Sequence, residues 1–239
     1  MNIAKKHILV TGATSGIGRA LVKLLIAKSD FVVHAVGRNA EALHSLADEM
    51  GSANTSTYLC DLGNEKELRA LLDAVNKNTE HLDWIIHSAG YIDPHEATAL
   101  DSASIHTTFE TNVYAPMTLV DLFSKVMRED GGHIFISSTA GLWSSPSFPI
   151  YSASKAALNA FARSLAKQWV SQQRSSITIC PGATNTPMRQ KAQGDAQSHQ
   201  SPDVVAEVIV RVISGESSYK NGDVVVVRDG ADTLHQSLD

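Results

Sequence analysis

The chain has 239 residues, 43% of them hydrophobic, with 20 basic against 25 acidic side chains and a formal net charge of −5. That length buries one sizeable core, and an acidic excess spread along the chain excludes the basic stripe that nucleic acid or an anionic membrane surface would require. Ile8-Leu9-Val10 after two lysines is too short for a signal peptide and no other run reaches the length of a membrane span, so a soluble cytoplasmic protein with a small-molecule ligand is expected.

Apolar runs alternate with helix-period segments throughout. HILV (7–10) leads through a glycine-rich turn to a helix carrying Leu21, Leu24 and Leu25, and FVVHAV (31–36) to one around Leu43 and Leu46. TSTYLC (55–60) precedes Leu68, Leu71, Leu72 and Val75 at the spacing of a buried helical stripe. WIIHS (84–88), HIFIS (133–137) and SITIC (176–180) continue the series, and DVVVV (223–227) closes it after a stripe of Val204, Val205, Val208, Ile209 and Val212. Cys60 and Cys180 each end a strand-like run and read as buried, reduced thiols. Parallel neighbours need crossovers long enough to hold a helix, so the pattern predicts an α/β fold: a doubly wound, Rossmann-like parallel sheet of seven strands, helices on both faces, one domain over 1–239. Its ligand should lie at the carboxyl ends of the strands.

Polar residues 187–202 break the composition, either as a surface loop or as a mobile lid. Ten histidines show no metal-ligand spacing, and no metal is expected.

Thr11-Gly12-Ala13-Thr14-Ser15-Gly16-Ile17-Gly18 joins the first strand to the first helix. Gly12 permits the tight turn, Gly16 lets backbone N–H groups approach a pyrophosphate, and Gly18 allows helix to pack on strand. At the end of the second strand Gly37-Arg38 stands where an NAD enzyme carries an acid. A guanidinium there suits a 2′-phosphate, favouring NADP(H) over NAD(H), although Arg38 also fits a solvated surface position.

Tyr151-Ser152-Ala153-Ser154-Lys155 places a phenol and an ammonium four residues apart, on one face of a helix. The pair alone decides nothing, because such spacing arises by chance. Its surroundings decide: the glycine spacing TG-x3-G-x-G, Ser138 thirteen residues before Tyr151, and Asn112 in TNVYAP together resemble the short-chain dehydrogenase/reductase family over nearly the whole chain. The resemblance implies hydride transfer between a nicotinamide and a ketone, aldehyde or secondary alcohol. Tyr151 would be the general acid or base, and Lys155 would lower its pKa and bind the nicotinamide ribose. Ser138 would polarise the carbonyl and Asn112 would complete a proton relay.

The resemblance also implies cofactor contacts at Thr14, Ser15 and Ile17 in the first turn, at Asp61 and Leu62, at Ala89 and Gly90, and at Pro181, Gly182, Thr184 and Thr186. Here Ser88 replaces the family's second Asn in Asn-Asn-Ala-Gly. Trp143, Pro146, Phe148, Tyr91 and Met188 are expected around the substrate. Small and apolar residues on several faces of the Tyr151 helix, with the family's habit, imply a homodimer or homotetramer. The alternative is a catalytically silent NADP(H)-binding regulator on the same fold.

Overall fold

The computed structural model describes residues 5–51, 54–93, 101–193 and 200–238. Strands β1 (Lys6–Thr11), β2 (Phe31–Gly37), β3 (Thr55–Leu59), β4 (Leu82–His87), β5 (Met127–Ile136), β6 (Ser175–Pro181), β7 (Val224–Arg228) and β8 (Ala231–Gln236) form one sheet in the order β3-β2-β1-β4-β5-β6-β7-β8. The first seven pair in parallel; β8 returns antiparallel to β7. The sheet therefore has an eighth strand beyond the expected seven.

Nine helices accompany the strands among the described residues: α1 (Gly16–Ile26), α2 (Ala40–Met50), α3 (Glu65–Asn76), α4 (Ser102–Phe109), α5 (Ala115–Phe123), α6 (Ala140–Trp143), α7 (Pro149–Gln168), α8 (Pro187–Gln193) and α9 (Pro202–Ser214). Successive strand residues point to opposite faces, so Ile8 and Val10 join the layer under α1, α2 and α9 while Leu9 joins the layer under α3 and α5. Phe135 likewise leaves its neighbours Ile134 and Ile136 to pack with Leu158, Ala162 and Leu165 of α7. Burial on both faces explains why these strands read as unbroken apolar runs.

From β1 the chain steps outward to β2 and β3, then crosses back to β4, which opens a crevice between the carboxyl ends of β1 and β4. Ala153, Ala156 and Ala160 of α7 lie exposed, and only the Leu158, Ala162, Leu165 side is buried. No helix among the described residues is long and apolar enough to cross a membrane.

Candidate active site

A cleft of about 500 Å³ opens at the crevice. Of the catalytic and cofactor-binding residues expected from the sequence, all line it except Gly18 and Asn112. Both exceptions lie behind the surface and shape it.

The first turn is built by steric exclusion. Gly12 has φ +66°, and a Cβ there would stand 2.8 Å from the backbone of Ala89. A Cβ on Gly18 would stand 2.3 Å from the Gly12 carbonyl oxygen, so α1 reaches the strand only without one. The α1 N-terminus has no side-chain cap and no acid in its first turn, whereas Asn39 caps α2 and Asn64 caps α3. An uncapped helix start opening on a cleft presents partial positive charge and N–H donors to an anion, which is what a pyrophosphate needs. These residues fit a dinucleotide.

Opposite, the Ala89 N–H donates to the Thr11 hydroxyl at 3.2 Å, which fastens the His87–Gly90 turn despite the short side chain of Ser88. Sequence reasoning treated Thr11 only as the start of the glycine turn. Thr184 accepts from the Gln200 amide at 3.0 Å, and the same nitrogen donates to the Val227 carbonyl. Gln200 is buried, so the polar segment expected over 187–202 is anchored at its far end; its near end is α8, and 194–199 lie outside the described residues. Met188, Arg189 and Ala192 of α8 line the cleft.

Asn112 lies in a five-residue π-helical turn, Glu110–Tyr114, between α4 and α5. Such turns inside helices recur at functional sites. The side chain is fully buried, which rules out solvent exposure as the reason for an Asn in this helix. Its amide donates to the Tyr91 carbonyl and the Ser154 hydroxyl, both at 2.9 Å, and its oxygen accepts from the Tyr91 N–H at 2.8 Å. Asn112 thus ties the loop after Gly90 to α7. Tyr91 supplies this backbone anchor and does not line the cleft, nor does Pro146.

Tyr151 and Lys155 sit one turn apart on α7 with the Lys155 Nζ 5.7 Å from the phenol ring centroid. Lys155 is buried and donates to the Ile136 carbonyl at 2.8 Å. Burial pushes its pKa down to about 8 and pushes that of Tyr151 up to about 12, a rise the neighbouring Ser138 hydroxyl opposes by hydrogen bonding. Loss of water around each group sets the direction of both shifts, up for the phenol and down for the ammonium. Ser138 also accepts from the Ala140 N–H at 3.1 Å, so it holds the start of α6 as well as facing the phenol. Ile92, Trp143, Phe148 and Met188 give the cleft an apolar part of its lining.

Residues 6–197 match the short chain dehydrogenase family profile. The chain belongs to the short-chain dehydrogenase/reductase family. It is 37% identical over 195 residues to a fatty acyl-CoA reductase of Mycobacterium tuberculosis, covering 79% of this chain and 66% of that relative. It is 31% identical over 194 residues to a benzil reductase of Saccharomyces cerevisiae, covering 77% and 73%. A short-chain dehydrogenase/reductase structure from Brucella melitensis superposes with a TM-score of 0.88 at 21% identity, over 95% of this chain and 97% of that one. A 3-ketoacyl-(acyl-carrier-protein) reductase from the same organism, complexed with NADH, gives 0.86 at 19%, over 95% and 98%. Membership makes this chain an NAD(P)-dependent oxidoreductase of the short-chain dehydrogenase/reductase type.

Proposed function

We propose that this short-chain dehydrogenase/reductase is an NADP(H)-dependent carbonyl reductase whose substrates carry an apolar, aryl-sized group beside the reacting carbonyl. The observation that carries the reading is the convergence of Ser138, Tyr151 and Lys155 on the cleft that also receives the uncapped start of α1. The glycine turn would hold the pyrophosphate, Arg38 the 2′-phosphate, and Asp61 and Leu62 the adenine side. Lys155 would hold the nicotinamide ribose, with Pro181, Gly182 and Thr186 near the carboxamide. When bound, the nicotinamide supplies the hydride for reduction or accepts it in the reverse direction.

The protein's own groups handle the oxygen. The Ser138 hydroxyl donates to the carbonyl oxygen and stabilises the charge that gathers there. Tyr151 delivers its phenolic proton to that oxygen, so the product is an alcohol and the phenol is left as phenolate, to be reprotonated from solvent. With its pKa raised by burial, the phenol is protonated at neutral pH, the form the acid role requires. The buried Lys155 ammonium, 5.7 Å from the ring, stabilises the phenolate once it forms. Asn112 keeps α7 and the loop after Gly90 in register.

Ile92, Trp143, Phe148 and Met188 support the apolar substrate class, as does the likeness to a protein named for benzil reduction. The test is NADPH consumption with benzil and with butane-2,3-dione, for the unaltered protein and for Tyr151→Phe. Loss of the phenolic proton donor should lower kcat by at least about a hundredfold, the usual worth of general acid catalysis, while NADPH binding persists. Turnover by Tyr151→Phe at the unaltered rate, or NADPH binding with no carbonyl reduced, would refute the proposal.

A further inference from the structure

β8 is fastened to the body of the protein at several points. It pairs with β7 from Val224 to Arg228, and Asp232 takes an ion pair from Arg211 of α9 at 2.6 Å and a hydrogen bond from the Tyr219 hydroxyl at 2.9 Å. Within the pairing, Gln236 faces Val224 and Leu234 faces Val225, so His235 is the extra residue of a β-bulge. Bulges re-aim the side chain they insert. His235 meets Trp143 with ring centroids 5.6 Å apart and planes at 90°, an edge-to-face contact.

Trp143 is an unusual residue to leave in such a place. It ends α6 on the cleft wall and is 56% exposed, while its neighbour Leu142 packs inward against Cys180, Val224 and Val226. The next residue, Ser144, holds φ 60° and ψ 161°, backbone space that almost only glycine visits. A large indole held at the mouth of a cleft by a strained turn on one side and a bulged strand on the other is a preset wall for an apolar ligand.

We infer that the C-terminal strand is part of the substrate site: His235 acts as a positioning residue that fixes the Trp143 indole and thereby selects substrates with an aromatic or similarly broad apolar group. The inference rests on the carbonyl-reductase reading. Removing the imidazole frees the indole to rotate, which weakens binding of a broad substrate more than that of a small one.

Kinetics with benzil and butane-2,3-dione for the unaltered protein, His235→Ala and His235→Phe would read this out. His235→Ala should shift the benzil-to-butanedione ratio of kcat/KM about three- to tenfold against benzil through KM, the range an edge-to-face ring contact corresponds to. His235→Phe, which retains an aromatic edge, should restore the ratio. A general loss of structure would instead lower both substrates alike, and an unchanged ratio in His235→Ala overturns the inference. If the unaltered protein reduces neither dione, the functional reading fails, and the positioning role is then read by acrylamide quenching of the emission component that Trp143→Phe removes. That component should be quenched more readily in His235→Ala and as in the unaltered protein in His235→Phe; equal quenching in all three overturns the inference.

Discussion

Arg38 shows how much one side chain decides. It is exposed, lines the cleft directly after β2, and is followed by Asn39, whose oxygen caps α2 by accepting from the Ala42 N–H at 2.9 Å. A guanidinium at this point pairs with a 2′-phosphate, and a carboxylate would repel one and accept the ribose hydroxyls instead. On the proposed NADP(H) reading, the Arg38→Asp protein should use NADPH less well, with KM for NADPH rising at least about tenfold, as expected for removal of a charge-assisted pair, and KM for NADH changing less. Steady-state kinetics with both cofactors measures this, and an unchanged NADPH-to-NADH ratio contradicts the assigned contact. The residue type was legible from sequence because the position after β2 is set by strand length alone. The pKa values of Tyr151 and Lys155 were not legible, since both depend on how much water the surrounding elements remove.

Elements enter through their ends. α1 starts without a side-chain cap and approaches β1 only because Gly18 lacks a Cβ. In Gly18→Ala the added methyl meets the Gly12 carbonyl, so α1 must shift outward, at about 1–3 kcal/mol for overpacking of this kind. The expected outcome is a lower Tm in thermal unfolding together with weaker NADPH binding in a fluorescence titration. Unaltered values for both would mean that the turn tolerates the methyl and that the close approach is not required. Helix and strand periods located α1 and β1 from sequence. The π-helical turn around Asn112 escaped, because inserting one residue into a helix barely disturbs the apolar pattern. β8 escaped for a different reason: Ala231–Gln236 is an edge strand, largely exposed, with no apolar run to mark it.

Among the described residues two histidine contacts cross the sheet, one part-buried and one fully buried. His7 Nδ1 lies 3.0 Å from His34 Nε2, and His34 Nδ1 lies 3.0 Å from the Tyr58 hydroxyl, joining β1, β2 and β3. His87 Nε2 lies 2.9 Å from His133 Nδ1, joining β4 and β5. Each ring-to-ring bond needs one neutral acceptor nitrogen. Burial, aided by His7, holds His34 down to about 4; burial and Arg174 hold His133 down to about 3; and burial with His133 holds His87 well below its ordinary value.

The unfolded chain takes up these protons near pH 6.5 and the folded chain does not, so the stabilisation is complete above pH 6.5 and declines as pH falls toward 4 and below. For His34 alone the loss is roughly 3 kcal/mol by pH 4. The urea midpoint should fall steadily between pH 6.5 and pH 4, and a midpoint flat across that interval would show that the rings are protonated in the fold.

Local chemistry was enough to reveal the seven parallel strands, the glycine turn and the YSASK helix, because hydrophobic period, glycine stereochemistry and four-residue spacing act between near neighbours in the chain. Folding alone brought Gln200 onto Thr184, Asn112 onto Tyr91 and Ser154, and His235 onto Trp143. Those partners are separated by 16, 21, 42 and 92 positions, and polar or exposed side chains carry no periodic signal of whom they will meet. Their contacts follow from where the sheet ends and how its helices pack, which only the assembled chain specifies.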